Sequence, residues 1–245
     1  MSPLSVRIRG YVRDPWSAGC RALRLFGLGA KLPAGAGKYP RSRLASSLLG
    51  EMRGIEIGGS AANPFELKTR NVDVVDHVQV DSVYAREQMR VCGCVMPVDI
   101  IAPGDALAME SVSTDYVIAS HTIEHFYDPI AAILEWVRVS RRFVYIIAPH
   151  KDRTLDHDRP VTSINELVKR NREPKPDEAA IDRHWSVWKT EDFVELVEFL
   201  ELPIHTIQDA DDKIGNGFTV VIGDLADFDR KAWMDRVKTT LTKCE

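Results

Sequence analysis

RGIEIGGSAANPF, residues 53–65, sets an acidic residue on a short apolar run and follows it with small residues where the backbone must turn tightly. Gly58, Gly59, Ser60 and Ala61 carry little or no side chain, so a ligand can lie against bare backbone N–H groups at the end of a strand. Glu56 stands at the rim of that turn. The strict G-x-G-x-x-G spacing is absent, which leaves the turn alone a weak signal. The run NVDVVDH, from Asn71, strengthens it. It reads as a second buried strand ending in Asp76, about twenty residues after the turn, where doubly wound nucleotide-binding folds place an acid for ribose hydroxyls.

Outward from this pair, apolar runs alternate with helical patterns. Strands are expected near 53–58, 71–76, 97–102, 114–120 and 143–148, with helices near 81–90 and 128–140 between them. Alternation of this kind implies a parallel sheet with crossover helices. In 128–140, Ile130, Ile133, Leu134 and Val137 recur at helical spacing, and Asp128-Pro129 is a start signal. From His150 to about His184 periodicity lapses into a polar, proline-punctuated segment with one short helix candidate at 163–171. Loops of that length in compact domains are usually functional or mobile. A helix at 190–200, strands near 203–209 and 218–223 joined through Gly215-Asn216-Gly217, and a helix near 226–242 complete the chain.

These residues resemble the class I S-adenosylmethionine-dependent methyltransferases. The combination EIGGSAANPF, SHTIEH and APHKDRTLDHDRPVT is similar to a subgroup linked to sugar and cell-surface glycan modification, a match running from about Arg53 to about Leu200. TDYVIASHTIEHFYDPIAAILEWVRVS looks like that family's fourth strand and following helix, and FVYIIAPH like its fifth strand. The family's usual Pro-Gly-Gly before strand five is replaced by Ser140, Arg141 and Arg142, and its glycine-rich first motif is reduced to Gly58 and Gly59. The resemblance implies an α/β, doubly wound, mostly parallel seven-stranded sheet with an antiparallel last strand. It implies S-adenosylmethionine as cofactor, held by Glu56, Gly58, Gly59, Ser60, Asn63, Asp76, Asp105, Ala106, Ser120 and His121. Asp105 and the N–H of Ala106 would meet the adenine.

The chemistry should lie where the strands end. Strand four ends at Ser120, and His121, Thr122, Ile123, Glu124 and His125 follow at once. One reading places His121 against the methionine part of the cofactor and lets His125, or a histidine of the long loop, take a proton from the acceptor hydroxyl. His150 and His157 are the loop candidates; a histidine suits this task at neutral pH. Asp156, Asp158 and Arg159 surround His157 with opposite charges. A second reading makes Glu124 and His125, with His150 or His184, the holders of a divalent ion such as Mg2+ that acidifies the acceptor oxygen. The ExxEH-like pattern of some metal-assisted small-RNA and quinone O-methyltransferases is similar, with His121 standing where their first acid stands. A plain helix N-terminus with Glu124 favoured by the dipole is the bland alternative. His77 and His205 carry no such signal.

Composition sets outer bounds. The 245 residues are 44% hydrophobic and 28% charged, enough for one substantial core. The net charge of −4 offers no general attraction to nucleic acid. It is unevenly spread: residues 1–45 carry nine Lys/Arg against Asp14, a net +8, and the remainder is −12. Residues 1–50 therefore read as a basic N-terminal extension, with a helix candidate near 18–26 and a loop at 32–40, able to touch a membrane surface peripherally. Residues 51–245 form the methyltransferase domain, with a lid-like insertion at about 150–188. Four cysteines make neither a disulfide framework nor a zinc cluster, and no apolar run is long enough to span a bilayer, so a cytoplasmic setting is the default.

The expected function is O-methylation of a hydroxyl on a sugar, glycan or small natural product. Two other classes compete. A methyltransferase-like module with a depleted glycine motif would bind without catalysing. A zinc hydrolase would use His121-x-x-Glu124-His125, an inverted zinc-protease signature that needs a helix through the motif.

Overall fold

The computed structural model describes residues 41–59, 64–80, 82–92, 95–176 and 183–243. The helix candidate at 18–26, the loop at 32–40, and Ser60, Ala61, Ala62 and Asn63 of the glycine turn lie outside the described residues. Seven strands form one sheet: β1 Gly54–Ile57, β2 Thr69–Asp73, β3 Ile100–Ile101, β4 Thr114–Ser120, β5 Ser140–Pro149, β6 Ile204–Asp209 and β7 Gly217–Ile222. Their order is β3-β2-β1-β4-β5-β7-β6. β1 pairs parallel with β2 and β4, β2 with β3, and β4 with β5, whereas β7 runs antiparallel to both β5 and β6. This is the doubly wound, mostly parallel α/β sheet with an antiparallel strand near one edge that the sequence implies.

The central strands are near-continuous apolar runs because both faces of the sheet are covered. Ile55, Val117, Ile118, Val144 and Ile146 are inaccessible to solvent. One face packs Trp136, Trp188, Phe193, Phe218 and Trp233 into the larger core. These come largely from α3 Pro129–Val139, α5 Thr190–Phe199 and α6 Arg230–Lys243, as well as from the sheet and the segment before α5. The other face packs Tyr116, Phe143 and Tyr145 against α1 Arg43–Leu49. Ser42 caps α1, its hydroxyl accepting from Ala45 N at 2.9 Å and meeting Tyr145 Oη at 3.1 Å. Part of the presumed N-terminal extension is therefore packed against the sheet. Among the described residues no helix separates β1 from β2; α1, from before β1, covers that face.

The local signals explain most boundaries. α3 starts as expected, with the Asp128 carboxylate accepting from Ala131 N at 2.9 Å and Pro129 in the first turn. Its last turn runs straight into β5 at Ser140, so the missing Pro-Gly-Gly leaves no separate loop. β2 ends at Asp73, three residues before the expected Asp76. The Asp73 carboxylate takes Val74 N at 2.7 Å, a local bond that competes with the sheet ladder and turns the chain. α2 Val83–Cys92 and α4 Ile164–Arg172 stand close to their expected places. No helix among the described residues is long and apolar enough to cross a membrane.

Candidate active site

The turn after β1 and the turn after β4 meet at the carboxyl end of the sheet. Gly58 has φ +66°, a conformation glycine takes without strain, and a Cβ there would lie 2.7 Å from Thr122 Cγ2. A Cβ at Gly59 would lie 2.3 Å from Glu56 Cδ. The turn is thus pressed between the side chain beneath it and Thr122 beside it, and only small residues allow it. Thr122 Oγ1 lies 3.2 Å from Ile57 O and 3.0 Å from Ser120 O, tying the ends of β1 and β4 together. Gly58 N donates to Val72 O. At Gly58 and Gly59 the backbone itself is exposed to an approaching group, which suits a polar cofactor.

The acids expected around that cofactor fall differently. Asp76 is buried in the loop after β2, where its carboxylate accepts from Val78 N, Val98 N and Gln79 Nε2 at 3.1–3.3 Å. Asp73 is the acid at the strand's end. Its second oxygen meets His77 Nε2 at 3.1 Å, and its side chain is 15% exposed. Asp105 lies half-buried in the turn after β3, but Ala106 N already donates to Pro103 O within that turn. Trp136 Nε1 fixes the same turn through Gly104 O at 2.8 Å.

After Ser120 the backbone reverses at His121, φ +49°, and continues as a single 3-10 turn, Ile123–His125. No α-helix runs through the HxxEH motif, so the geometry the zinc-hydrolase reading needs is not there. Glu124 is 1% exposed, and burial pushes its carboxyl up to about 8. Its Oε2 has no hydrogen-bond partner among the described residues, while Oε1 lies 3.9 Å from both His121 Nδ1 and His125 Nε2. Burial lowers the His121 pKa, and its buried Nε2 likewise lacks a partner among the described residues.

Residues 183–188 lie against this turn. Trp185 N and Ser186 N both donate to Glu124 O, at 2.7 and 3.3 Å. The His184 ring packs edge-on against His125, centroids 4.8 Å apart, with its Nδ1 2.6 Å from Asp156 Oδ2. Arg159 clamps the pair, donating to Asp156 Oδ1 and to His184 O. Burial would raise the Asp156 carboxyl, but the hydrogen bonds from His184 and Arg159 hold it below its ordinary value. Among the described residues, Glu124, His125 and His184 bring three ligand atoms within 4.8 Å of one another. His150 is not part of that group: it is buried at the end of β5, and its Nδ1 accepts from Asp152 N at 3.1 Å as a helix cap. His157 is exposed and pairs with Asp158 at 3.0 Å.

The β6–β7 connection reaches the same region and carried no chemistry in the sequence reading. The Asp211 carboxylate accepts from the N–H groups of Lys213, Ile214, Gly215 and Gly217 at 2.7–3.0 Å. This wraps the chain so that buried Lys213 donates to Pro64 O at 2.8 Å and lies 4.3 Å above the Phe65 ring. The hairpin thereby holds Pro64 and Phe65.

No protein-family model and no curated protein matches the chain. Solved structures do resemble it in shape. A SAM-dependent methyltransferase from Aquifex aeolicus is 15% identical, with 74% of this chain and 87% of that chain covered and a TM-score of 0.45. One from Methanosarcina mazei is 14% identical over 74% and 96%, TM-score 0.46. Phosphoethanolamine N-methyltransferase 1 from Haemonchus contortus, in complex with phosphoethanolamine and S-adenosylhomocysteine, is 12% identical over 80% and 45%, TM-score 0.45. The likeness is one of fold.

Proposed function

We propose that this chain is an S-adenosylmethionine-dependent methyltransferase acting on a hydroxyl of a sugar, glycan or similarly polar small molecule. The observation that carries the reading is the bare backbone turn at Gly58-Gly59, seated on Glu56 and tied through Thr122 to the end of β4 that bears His121. When bound, the cofactor would supply a methyl group on a sulfonium, activated for in-line displacement. The protein's own tasks are then alignment and exclusion of water. Asp73, at the end of β2, and Asp105, in the turn after β3, would receive ribose and adenine. Residues 183–188, fastened over Glu124, exclude water from the acceptor side. Trp185 and Tyr127, whose rings meet edge-on at 5.0 Å, offer apolar surface for a sugar face. His121 Nε2 is the atom placed to take the acceptor proton as its oxygen attacks.

Calorimetric titration with S-adenosylhomocysteine tests the cofactor site, and a methylation screen of sugars against thiols and amines tests the acceptor. Saturable binding with turnover on hydroxyls only is expected. Binding without turnover on any acceptor would instead favour the non-catalytic module, and no binding by folded protein would end the assignment. His121→Gln is expected to lower kcat by about 100-fold or more while cofactor binding persists.

A further inference from the structure

Three features of the Glu124 cluster go beyond methyl transfer. The adjacent Glu124 and His125 are joined by His184 from a distant part of the chain, the three ligand atoms within 4.8 Å of one another. Ligands around one small divalent ion stand about 3–4 Å apart, so slight side-chain rotation closes the set. Each imidazole is also held by its far nitrogen: His184 Nδ1 faces the Asp156 carboxylate at 2.6 Å, and His125 Nδ1 faces Arg183 O at 3.3 Å. Both arrangements favour the tautomer with the proton on Nδ1, and leave Nε2 as the ligand atom. A carboxylate behind a histidine in this way is the support that metal-binding imidazoles ordinarily have. Finally, Glu124 is 1% exposed with an oxygen lacking any hydrogen-bond partner among the described residues. An ion at this point would give that oxygen the partner it lacks among the described residues.

We propose that Glu124, His125 and His184 form a site for a first-row transition ion of the zinc or manganese type, with Asp156 positioning His184. Two nitrogens and one oxygen do not suit Mg2+, which takes oxygen ligands and keeps its waters; imidazole-rich sets favour the later ions. Of the two third ligands expected from sequence, His150 or His184, the site takes His184, and it takes a transition ion in place of Mg2+. The ion joins the turn after β4 to the segment carrying His184, so binding it fastens that segment over the cleft. Arg159 and Arg170 already hold the same segment through hydrogen bonds to His184 O and Trp185 O, and the ion adds a removable fastening.

The test uses the full chain, stripped with chelator, with neither cofactor nor acceptor present, so its outcome is separate from that of the methyltransferase reading. Co2+ is followed by its visible ligand-field bands, and Zn2+, Mn2+ and Mg2+ by calorimetry. One equivalent of Co2+ and of either Zn2+ or Mn2+ is expected to bind, at least 100-fold more tightly than Mg2+. His184→Ala and His125→Ala, both at half-exposed positions, are expected to remove the bands while the apo protein still melts cooperatively. Asp156→Asn should weaken binding about 10- to 100-fold. Metal should slow hydrogen exchange at 184–188 in the native protein and not in His184→Ala. Absence of saturable binding, binding untouched by His184→Ala, or Mg2+ binding as tight as Zn2+ and Mn2+ would each overturn the site.

Discussion

Gly59 rests directly on Glu56, so close that a methyl group added to Gly59 would lie 2.3 Å from Glu56 Cδ. Glu56 is buried in the middle of β1 and cannot swing aside without disturbing the strand. Gly59→Ala is therefore expected to lower the melting temperature by several degrees and to raise the dissociation constant for S-adenosylhomocysteine at least tenfold. Because the clash is between two residues, the stability lost in Gly59→Ala/Glu56→Ala should be less than the sum of the single losses. Thermal melts of the four proteins check this; strictly additive losses would show that the turn is not seated on Glu56.

The two acids after the second strand separate cofactor binding from structure. Asp73 ends β2, whereas the Asp76 carboxylate is engaged by two backbone N–H groups and Gln79 inside the following loop. Asp73→Asn is expected to weaken S-adenosylhomocysteine binding about tenfold with little change in melting temperature. Asp76→Asn should cost about 1–2 kcal/mol of stability, a few degrees in a chain of this size, with the smaller effect on affinity. The reverse pattern would return the ribose role to Asp76.

That exchange shows what was legible in the sequence and what was not. The strands rich in Ile and Val, the Asp128-Pro129 start of α3 and the tight turn at Gly58-Gly59 depend on local chemistry and are legible in the sequence. The end of β2 is not, because Val74 and Val75 extend the apolar run while the Asp73 side chain stops the ladder. α1 was hidden in a segment read by its charge, although Ser42 before Leu44, Ala45, Leu48 and Leu49 is a capped apolar face. His184 and His150 both flank the long loop, and nothing in their spacing tells which one returns to Glu124. Asp156, 28 residues before His184, decides it, and that contact exists only in the fold. The same is true of Lys213, whose partner Pro64 is 149 positions away.

Arg170 governs how firmly the loop lies over the site. It is 9% exposed; its guanidinium pairs with Glu166 at 2.9 Å and donates to Trp185 O and Ser186 Oγ at 3.1 and 3.0 Å. Trp185 and Ser186 in turn hold the Glu124 carbonyl. Arg170→Ala leaves the part-buried Trp185 carbonyl and the buried Ser186 hydroxyl without this donor, at a cost of about 2 kcal/mol. Hydrogen exchange at 184–188 should accelerate far more than exchange in β4 or β5, and KM for the acceptor should rise more than that for the cofactor. Uniform acceleration across the sheet would mean that Arg170 supports the whole fold and not the loop.

Asp211 gives the hairpin a pH-dependent stability. Burial would raise its carboxyl, but four backbone N–H bonds outweigh that and hold it below the ordinary carboxylate value. A group with a lowered folded-state pKa contributes stability above its unfolded value near 4, and loses it as pH falls toward the folded value. Oδ1 accepts from Lys213 and Ile214 and Oδ2 from Gly215 and Gly217, so an amide at this position must turn its NH2 toward two donors. Asp211→Asn is expected to cost about 3 kcal/mol at pH 7. In urea unfolding at pH 3 the gap between native and variant should shrink, since the unfolded chain then takes up a proton at Asp211 that the folded chain resists, while the amide is unaffected. A gap of equal size at both pH values would show that the hairpin is held by shape alone, and that the negative charge at Asp211 contributes nothing to holding Pro64 through Lys213.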